Sequence, residues 1–192
     1  MAEHHEPTSP PPGSGEPPAP QPDTKDWTWV LERPCRECGV DTSTIDLDDV
    51  PGHIRRTAAA WQAVLTRTDV RERPAPATWS PLEYACHVRD VFRIFDHRLD
   101  RMLTEDGPHY ANWDQDETAL AERYDLADPT LVATELDEAA TVVADRFATV
   151  EGDQWQRTGF RSDGSAFTID TFARYFLHDP IHHLHDVGVT EY

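Results

Sequence analysis

The sequence has little positive charge. Its 192 residues contain 17 Lys and Arg against 36 Asp and Glu, a formal net charge of −19. Lys25 is the only lysine. Nucleic acids and anionic membrane surfaces are bound through clustered Lys and Arg, so neither is expected as a partner. Acidity of this degree is most simply a contribution to solubility.

Cysteines and long apolar runs are also scarce. Three cysteines are too few for the disulfide framework of a small secreted protein. The sequence contains no run of eighteen apolar residues, so no transmembrane helix is predicted. The N-terminus has no basic segment followed by an apolar one, as a signal peptide would. A cytoplasmic location without membrane association is therefore expected.

Composition divides the chain into three regions. Residues 1–26 hold half of the sixteen prolines, interspersed with Gly, Ser and Glu, and this composition predicts a disordered tail. Residues 27–48 form an arm with two tryptophans and a Cys-x-x-Cys motif. Residues 49–192 carry the apolar periodicity of helices and predict the folded domain.

Four long helices are predicted in that domain. The first begins near Asp49, and the second begins at Pro81 behind a Ser80/Glu83 capping box. The third spans about residues 129–150, and Thr168 caps the fourth. A long connection before the third contains a short helix at about 115–124. Strand signals are weak, although an Asp-Gly turn at 163–164 indicates a small hairpin or a loop. The sequence predicts an all-α, up-down four-helix bundle.

The last helix carries four histidines in eight residues. His178 and His182 are four apart and lie on one helical face, where two imidazoles can hold one divalent metal if a third ligand is supplied. His87 lies on the second helix and can supply that ligand, because bundle metal sites are built from facing helices. Pro180 would kink the last helix. His183 or His185 could then replace His182, and the histidines that are not ligands would support the site.

The motif Cys35-x-x-Cys38 has the spacing of a zinc knuckle or a redox pair. Cys86 is the only other cysteine and lies far away in sequence, so the motif lacks a second cysteine pair. A structural turn ended by Gly39 is the favoured interpretation, and a metal or redox role is the alternative.

A family resemblance rests on two of these motifs. Trp79-Ser80-Pro81-Leu82-Glu83 followed by His87, and a late His-x-x-x-His with an adjacent histidine, resemble the DinB-like superfamily over about residues 49–187. The resemblance implies a metal-binding four-helix bundle with a three-histidine site for zinc, nickel or a related ion such as iron or cobalt. It also implies relatives that use mycothiol or bacillithiol as thiols, among them transferases and a maleylpyruvate isomerase. The arm resembles the N-terminus of some members from GC-rich bacteria.

Three functions are compatible with this sequence. The first is a thiol-dependent S-transferase or isomerase whose partners are a small-molecule electrophile and a low-molecular-weight thiol. The second is a metal-dependent hydrolase, and the third is a non-catalytic, stress-related metal-binding bundle. Trp113 is a candidate for cofactor binding, and Asp114, Asp116 and Arg174 are catalytic candidates. Asp114 and Asp116 could instead start a short helix, and Arg174 could pair with a surface carboxylate. The substrate and a homodimeric state are left open.

Overall fold

The computed structural model describes residues 26–190, so the predicted disordered tail lies outside the described residues except for Asp26. Five α-helices make up most of this part of the chain: α1 Val50–Leu65, α2 Pro81–Thr104, α3 Gln115–Ala121, α4 Pro129–Phe147 and α5 Ile169–Asp186. Three short strands are β1 His109–Tyr110, β2 Thr158–Arg161 and β3 Ala166–Thr168. No helix among the described residues is long and apolar enough to cross a membrane.

Local capping chemistry sets where the long helices begin. The Ser80 side chain accepts a hydrogen bond from the Glu83 amide, and the Glu83 carboxylate accepts one from the Ser80 amide. The Asp128 carboxylate caps α4, and the Thr168 hydroxyl caps α5. These side chains satisfy amides that have no partner inside the helix, which is why the sequence could locate the helix starts.

The four long helices have an order around the bundle that differs from a simple up-down arrangement. α4 packs against α1 and α2, and α5 packs against the same two helices from the other side. α4 and α5 face each other across the core, where the rings of Phe147 and Phe176 stack at 5.8 Å. Consecutive helices α1 and α2 thus lie diagonally. The long segment 66–80 between them allows this, whereas a short loop would hold them side by side.

The small sheet corrects the all-α prediction. β1 pairs with β2 in parallel, and β2 pairs with β3 in antiparallel register. Strands of two to four residues are too short to show alternating hydrophobicity. Gly159 in β2 lies where an added Cβ would come within 2.8 Å of Met102 on α2, so the sheet packs closely against this helix. β3 leads directly into α5 and fixes the start of that helix.

The arm packs along α5. Its short 3₁₀ helices, Thr28–Leu31 and Thr42–Thr44, both contact α5. The Arg174 guanidinium donates hydrogen bonds to the carbonyls of Thr42 and Ile45, at 2.6 and 2.9 Å. These contacts bring the Cys-x-x-Cys turn to the part of α5 that carries the histidines.

Pro180 does not interrupt α5, which is helical from Ile169 to Asp186. The buried Trp61 indole donates a hydrogen bond to the Pro180 carbonyl at 3.2 Å. The histidines on both sides of Pro180 therefore keep helical spacing.

Candidate metal centre

Helix α5 presents two donor pairs, each with i, i+4 spacing. His178 and His182 form one pair, and Asp179 and His183 form the other. The pairs are displaced by one residue, so they point to adjacent sides of the helix, about 100° apart. Each pair meets donors from a different part of the chain.

The pair His178 and His182 meets the cysteines of the arm. The ligand atoms of Cys35, Cys38, His178 and His182 all lie within 4.8 Å of one another. Cys35 Sγ is 3.7 Å from His182 Nδ1, and Cys38 Sγ is 3.7 Å from His178 Nε2. These four residues are called the Cys–His group below.

Burial shifts the pKa of His178, His182 and Cys38. It lowers the pKa of His178 to about 4, with the neighbouring His182 adding to the effect. Burial also lowers the pKa of His182 and raises the pKa of the Cys38 thiol to about 12. At neutral pH the imidazoles are neutral, and the Cys38 thiol stays protonated without a cation to favour the thiolate.

The pair Asp179 and His183 meets His87 on α2. Asp179 Oδ1 lies 3.3 Å from His87 Nε2 and 3.8 Å from His183 Nε2, so both imidazoles converge on one carboxylate oxygen. The three ligand atoms fall within 4.8 Å of one another. These residues are called the His–Asp–His group. Its donors are two imidazole nitrogens and one carboxylate.

Aromatic rings surround the His–Asp–His group. Trp113 stacks on His87 at 5.3 Å with nearly parallel planes, and Trp79 lies 5.5 Å from the same ring. Tyr84 packs on His183 at 4.9 Å. His87 is completely buried, and its Nδ1 atom has no hydrogen-bond partner among the described residues. A buried ring nitrogen normally has a hydrogen-bond partner, and a ligand or water molecule at this end of the bundle would supply the one that Nδ1 lacks.

Two carboxylates set the electrostatics of the second group. Burial alone would raise the pKa of Asp179, but the nearby His87, His183 and His178 outweigh it and hold that pKa below its usual range. Asp186 Oδ2 lies 2.8 Å from His183 Nδ1. This contact places a proton on Nδ1 and leaves Nε2 as a ligand atom, as carboxylates do behind metal-binding histidines.

Both groups fit a divalent metal by the chemistry of their donors. Two histidines and a carboxylate are the protein ligands of several catalytic zinc sites, which keep a further position open. Two cysteines and two histidines fill all four positions of a tetrahedral zinc. The groups thus differ in whether a substrate could approach the metal.

A cavity of about 840 Å³ opens beside both groups. Its size is within the range of small-molecule sites. Asp179 and His183 of the one group and His178 and His182 of the other lie on its wall, whereas His87 does not line it. The described part of the wall is rich in aromatic rings and carboxylates, and among the described residues Arg161 is its one basic Lys or Arg side chain. The aromatic and acidic residues are Trp27, Trp79, Tyr84, Trp113, Tyr175, Asp26, Glu37, Asp114, Asp116, Asp163 and Asp186.

The helix order, the donor groups and the cavity agree with a family match. A model of the DinB superfamily matches residues 52–187. The chain belongs to the DinB superfamily. This confirms the resemblance drawn from Trp79, His87 and the late histidines.

A solved structure has a similar fold. YfiT from Bacillus subtilis, described as a probable metal-dependent hydrolase with an unusual four-helix bundle topology, superposes with a TM-score of 0.59. The match covers 85% of this chain and 83% of that one at 18% sequence identity. Identity this low establishes a shared fold alone. No curated protein matches the chain.

The three histidines predicted as one ligand set are divided between the two groups. His178 and His182 lie with the cysteines, and His87 lies with Asp179 and His183. His185 is exposed, beside Asp186, and belongs to neither group. The sequence predicted His183 only as a replacement for His182 or as a support for the site, and did not pair it with Asp179. The i, i+4 spacing of this pair was the available signal.

The Cys-x-x-Cys motif is a turn, as predicted, but it also points both sulfurs at histidines. Gly39 closes it with a positive φ of 78°. The absence of a second cysteine pair had favoured the structural interpretation. Histidines can replace that pair, because Cys-x-x-Cys and His-x-x-x-His have the ligand spacings of a Cys2His2 site. That spacing was the signal for the first group.

The other candidate residues lie in two places. Trp113, Asp114 and Asp116 line the cavity. Asp114 also caps α3, accepting hydrogen bonds from the amides of Asp116 and Glu117, which confirms that this residue starts a short helix. Arg174 is not on the cavity wall. It binds Asp170 and the arm carbonyls, which favours a structural role.

Proposed function

We propose that this protein is a metal-dependent enzyme that joins a low-molecular-weight thiol to a small electrophile, as an S-transferase or as an isomerase that uses the thiol transiently. His87, Asp179 and His183 would hold the metal. A divalent metal supplies Lewis acidity and favours the deprotonated form of a thiol or water molecule. The observation that carries the proposal is the convergence of these three donors beside a cavity large enough for two small molecules, with Asp179 and His183 on its wall.

The residues around the donors have separate tasks. Asp186 orients His183 through its Nδ1 proton. Trp113 and Trp79 cover the His87 ring and keep water from it. Asp179 stays ionised and holds the two imidazoles at one point. Each task belongs to a rigid helix or to a ring packed on one, which is what a preorganised site requires.

The lining of the cavity supports a neutral, polyhydroxylated thiol such as mycothiol. Carboxylates accept hydrogen bonds from sugar hydroxyls, and tryptophan and tyrosine rings pack on the apolar faces of sugar rings. Arg161, the one Lys or Arg among the described residues of the wall, is paired with Asp163, so this part of the wall offers little to an anionic thiol. An acidic wall repels carboxylates and phosphates, and this favours mycothiol over bacillithiol.

Hydrolysis is the second candidate. Two histidines with a carboxylate are also the ligands of zinc hydrolases, and the structural neighbour is described as a probable metal-dependent hydrolase. The same donors would then activate water. The two candidates differ in whether turnover requires a thiol.

Turnover of a panel of electrophiles with and without mycothiol tests the proposal, with metal content measured in parallel. We expect thiol-dependent product formation by the full chain, and loss of both activity and one metal equivalent in His87→Ala and His183→Ala. His97→Ala, an exposed histidine on α2, is the matched control. Turnover without thiol would favour hydrolysis. If His183→Ala kept the active metal and His178→Ala lost it, the ligands of that metal would instead be His87, His178 and His182, as predicted from the sequence.

A further inference from the structure

The Cys–His group joins two segments that are far apart in sequence. Cys35 and Cys38 come from the arm and lie outside the family match at 52–187, whereas His178 and His182 come from α5. The contacts between them span 140 and 147 residues. The arm therefore adds donors that the matched domain does not contain.

The distances within this group fit a tetrahedral metal. Zinc–sulfur and zinc–nitrogen bonds of about 2.3 and 2.0–2.1 Å at tetrahedral angles place sulfur and nitrogen about 3.6 Å apart. Two of the sulfur–nitrogen pairs lie 3.7 Å apart, and all four ligand atoms lie within 4.8 Å of one another. Two separate S–H···N hydrogen bonds would also explain these two distances. They would not explain why the two sulfurs and the two nitrogens all lie close together.

The turn that carries the cysteines is shaped like a metal-binding knuckle. The Gly39 amide donates to the Cys35 carbonyl at 2.9 Å, and the Cys35 amide donates to the Val40 carbonyl at 2.8 Å. Gly39 has a φ of 78°, which residues with a Cβ rarely adopt. The Val40 amide also hydrogen-bonds Cys38 and favours its thiolate, although burial dominates its pKa. The backbone thus aims both sulfurs to the same side.

The histidines of the group have partners behind them. His182 Nε2 lies 3.4 Å from a Glu37 oxygen and 3.7 Å from an Asp186 oxygen, so a carboxylate can accept the proton of the nitrogen opposite the ligand atom. This arrangement orients metal-binding histidines. Trp27 covers both imidazoles, with ring centroids 5.4 Å from His178 and 5.0 Å from His182.

We propose that Cys35, Cys38, His178 and His182 bind a structural zinc ion that fastens the arm to α5. Two thiolates and two imidazoles select zinc over calcium, magnesium or manganese, which prefer oxygen ligands. Four protein ligands leave no position for a substrate, so this ion is separate from the proposed catalytic metal. Binding releases the two thiol protons to solvent, and no redox change occurs.

The zinc site has a consequence for the cavity. Trp27 and Glu37, which belong to the arm, line the cavity beside the His–Asp–His group. Fastening the arm therefore completes one wall of the site. Loss of the zinc would loosen the part of the arm around Cys35 and Cys38, while the Arg174 contacts with Thr42 and Ile45 and the apolar bundle core remain.

Cobalt substitution in the full-length, metal-stripped protein tests the proposal. A thiolate bound to Co(II) gives an intense near-ultraviolet charge-transfer absorption, and nitrogen and oxygen donors alone do not. We expect this band in wild type and its loss in Cys35→Ser/Cys38→Ser, together with one equivalent of zinc. The control Cys86→Ala, which changes the buried cysteine outside the group, should keep both. His183→Ala should also keep the band, so this result is independent of the proposed catalytic metal.

Two further measurements use wild type alone and do not depend on folding of a variant. Zinc titration of reduced, metal-free protein should release about two protons per ion at this site. Limited proteolysis within residues 27–48 should be faster in the metal-free protein. Absence of the cobalt band, unchanged zinc content in the double variant, or a Cys35–Cys38 disulfide in zinc-loaded protein would overturn the proposal.

Discussion

His182 and His183 are consecutive residues, yet their imidazoles belong to different donor groups, with ring centroids 5.8 Å apart. One helical step turns the side chain by about 100°, so neighbouring positions of α5 face different parts of the fold. His182 faces the arm and His183 faces α2. One helix can thereby contribute to a closed four-ligand group and an open three-ligand group.

Asp186→Asn should weaken metal binding at the His–Asp–His group. Asp186 lies 2.8 Å from His183 Nδ1 and 3.7 Å from His182 Nε2, and a neutral amide would hold either imidazole less firmly. We expect a loss of about 10–100-fold in affinity at that group and a smaller loss at the Cys–His group. Competition with a chromophoric chelator measures both. Asp137→Asn, an exposed carboxylate on α4, is the control. Unchanged affinities would show that Asp186 does not act through His183.

Arg174→Ala should loosen the arm. The guanidinium binds the Thr42 and Ile45 carbonyls, and its removal leaves these acceptors without their donor. We expect the free energy of unfolding in urea to fall by about 1–3 kcal/mol, with faster proteolysis of residues 27–48. Exposed Arg71→Ala should be neutral. Lost turnover with stability and proteolysis unchanged would instead support the catalytic role considered from the sequence.

Gly159→Ala should destabilise the packing of the sheet on α2. An added methyl group would lie 2.8 Å from Met102 Cγ and 3.0 Å from Tyr110 Cε1, so both side chains would have to shift. Overpacking of this kind costs about 1–3 kcal/mol in unfolding free energy. Thr158→Ala, at an exposed position of the same strand, should cost less. Equal midpoints in thermal melts of the two variants would refute the close contact.

Helix boundaries and family membership could be predicted from the sequence because both depend on short-range patterns. Ser80, Glu83 and Thr168 act on amides within three residues, so the starts of α2 and α5 can be identified without the fold. The motif from Trp79 to His87 is equally local. The hairpin of β2 and β3 was indicated by the Asp163-Gly164 turn between them. The pairing of β1 could not be predicted, because β1 has two residues and its partner strand lies about 50 residues away.

The sequence by itself determined that α5 would present donors at helical spacing, since an i, i+4 pair needs only the helix. Only the tertiary structure decided which donors complete each pair. Cys35 lies 147 residues from His182, and His87 lies 92 residues from Asp179. Over such separations, contacts depend on how the arm and α2 pack against α5. That packing is set by apolar burial and by contacts such as those of Arg174 with the arm, which local spacing does not specify.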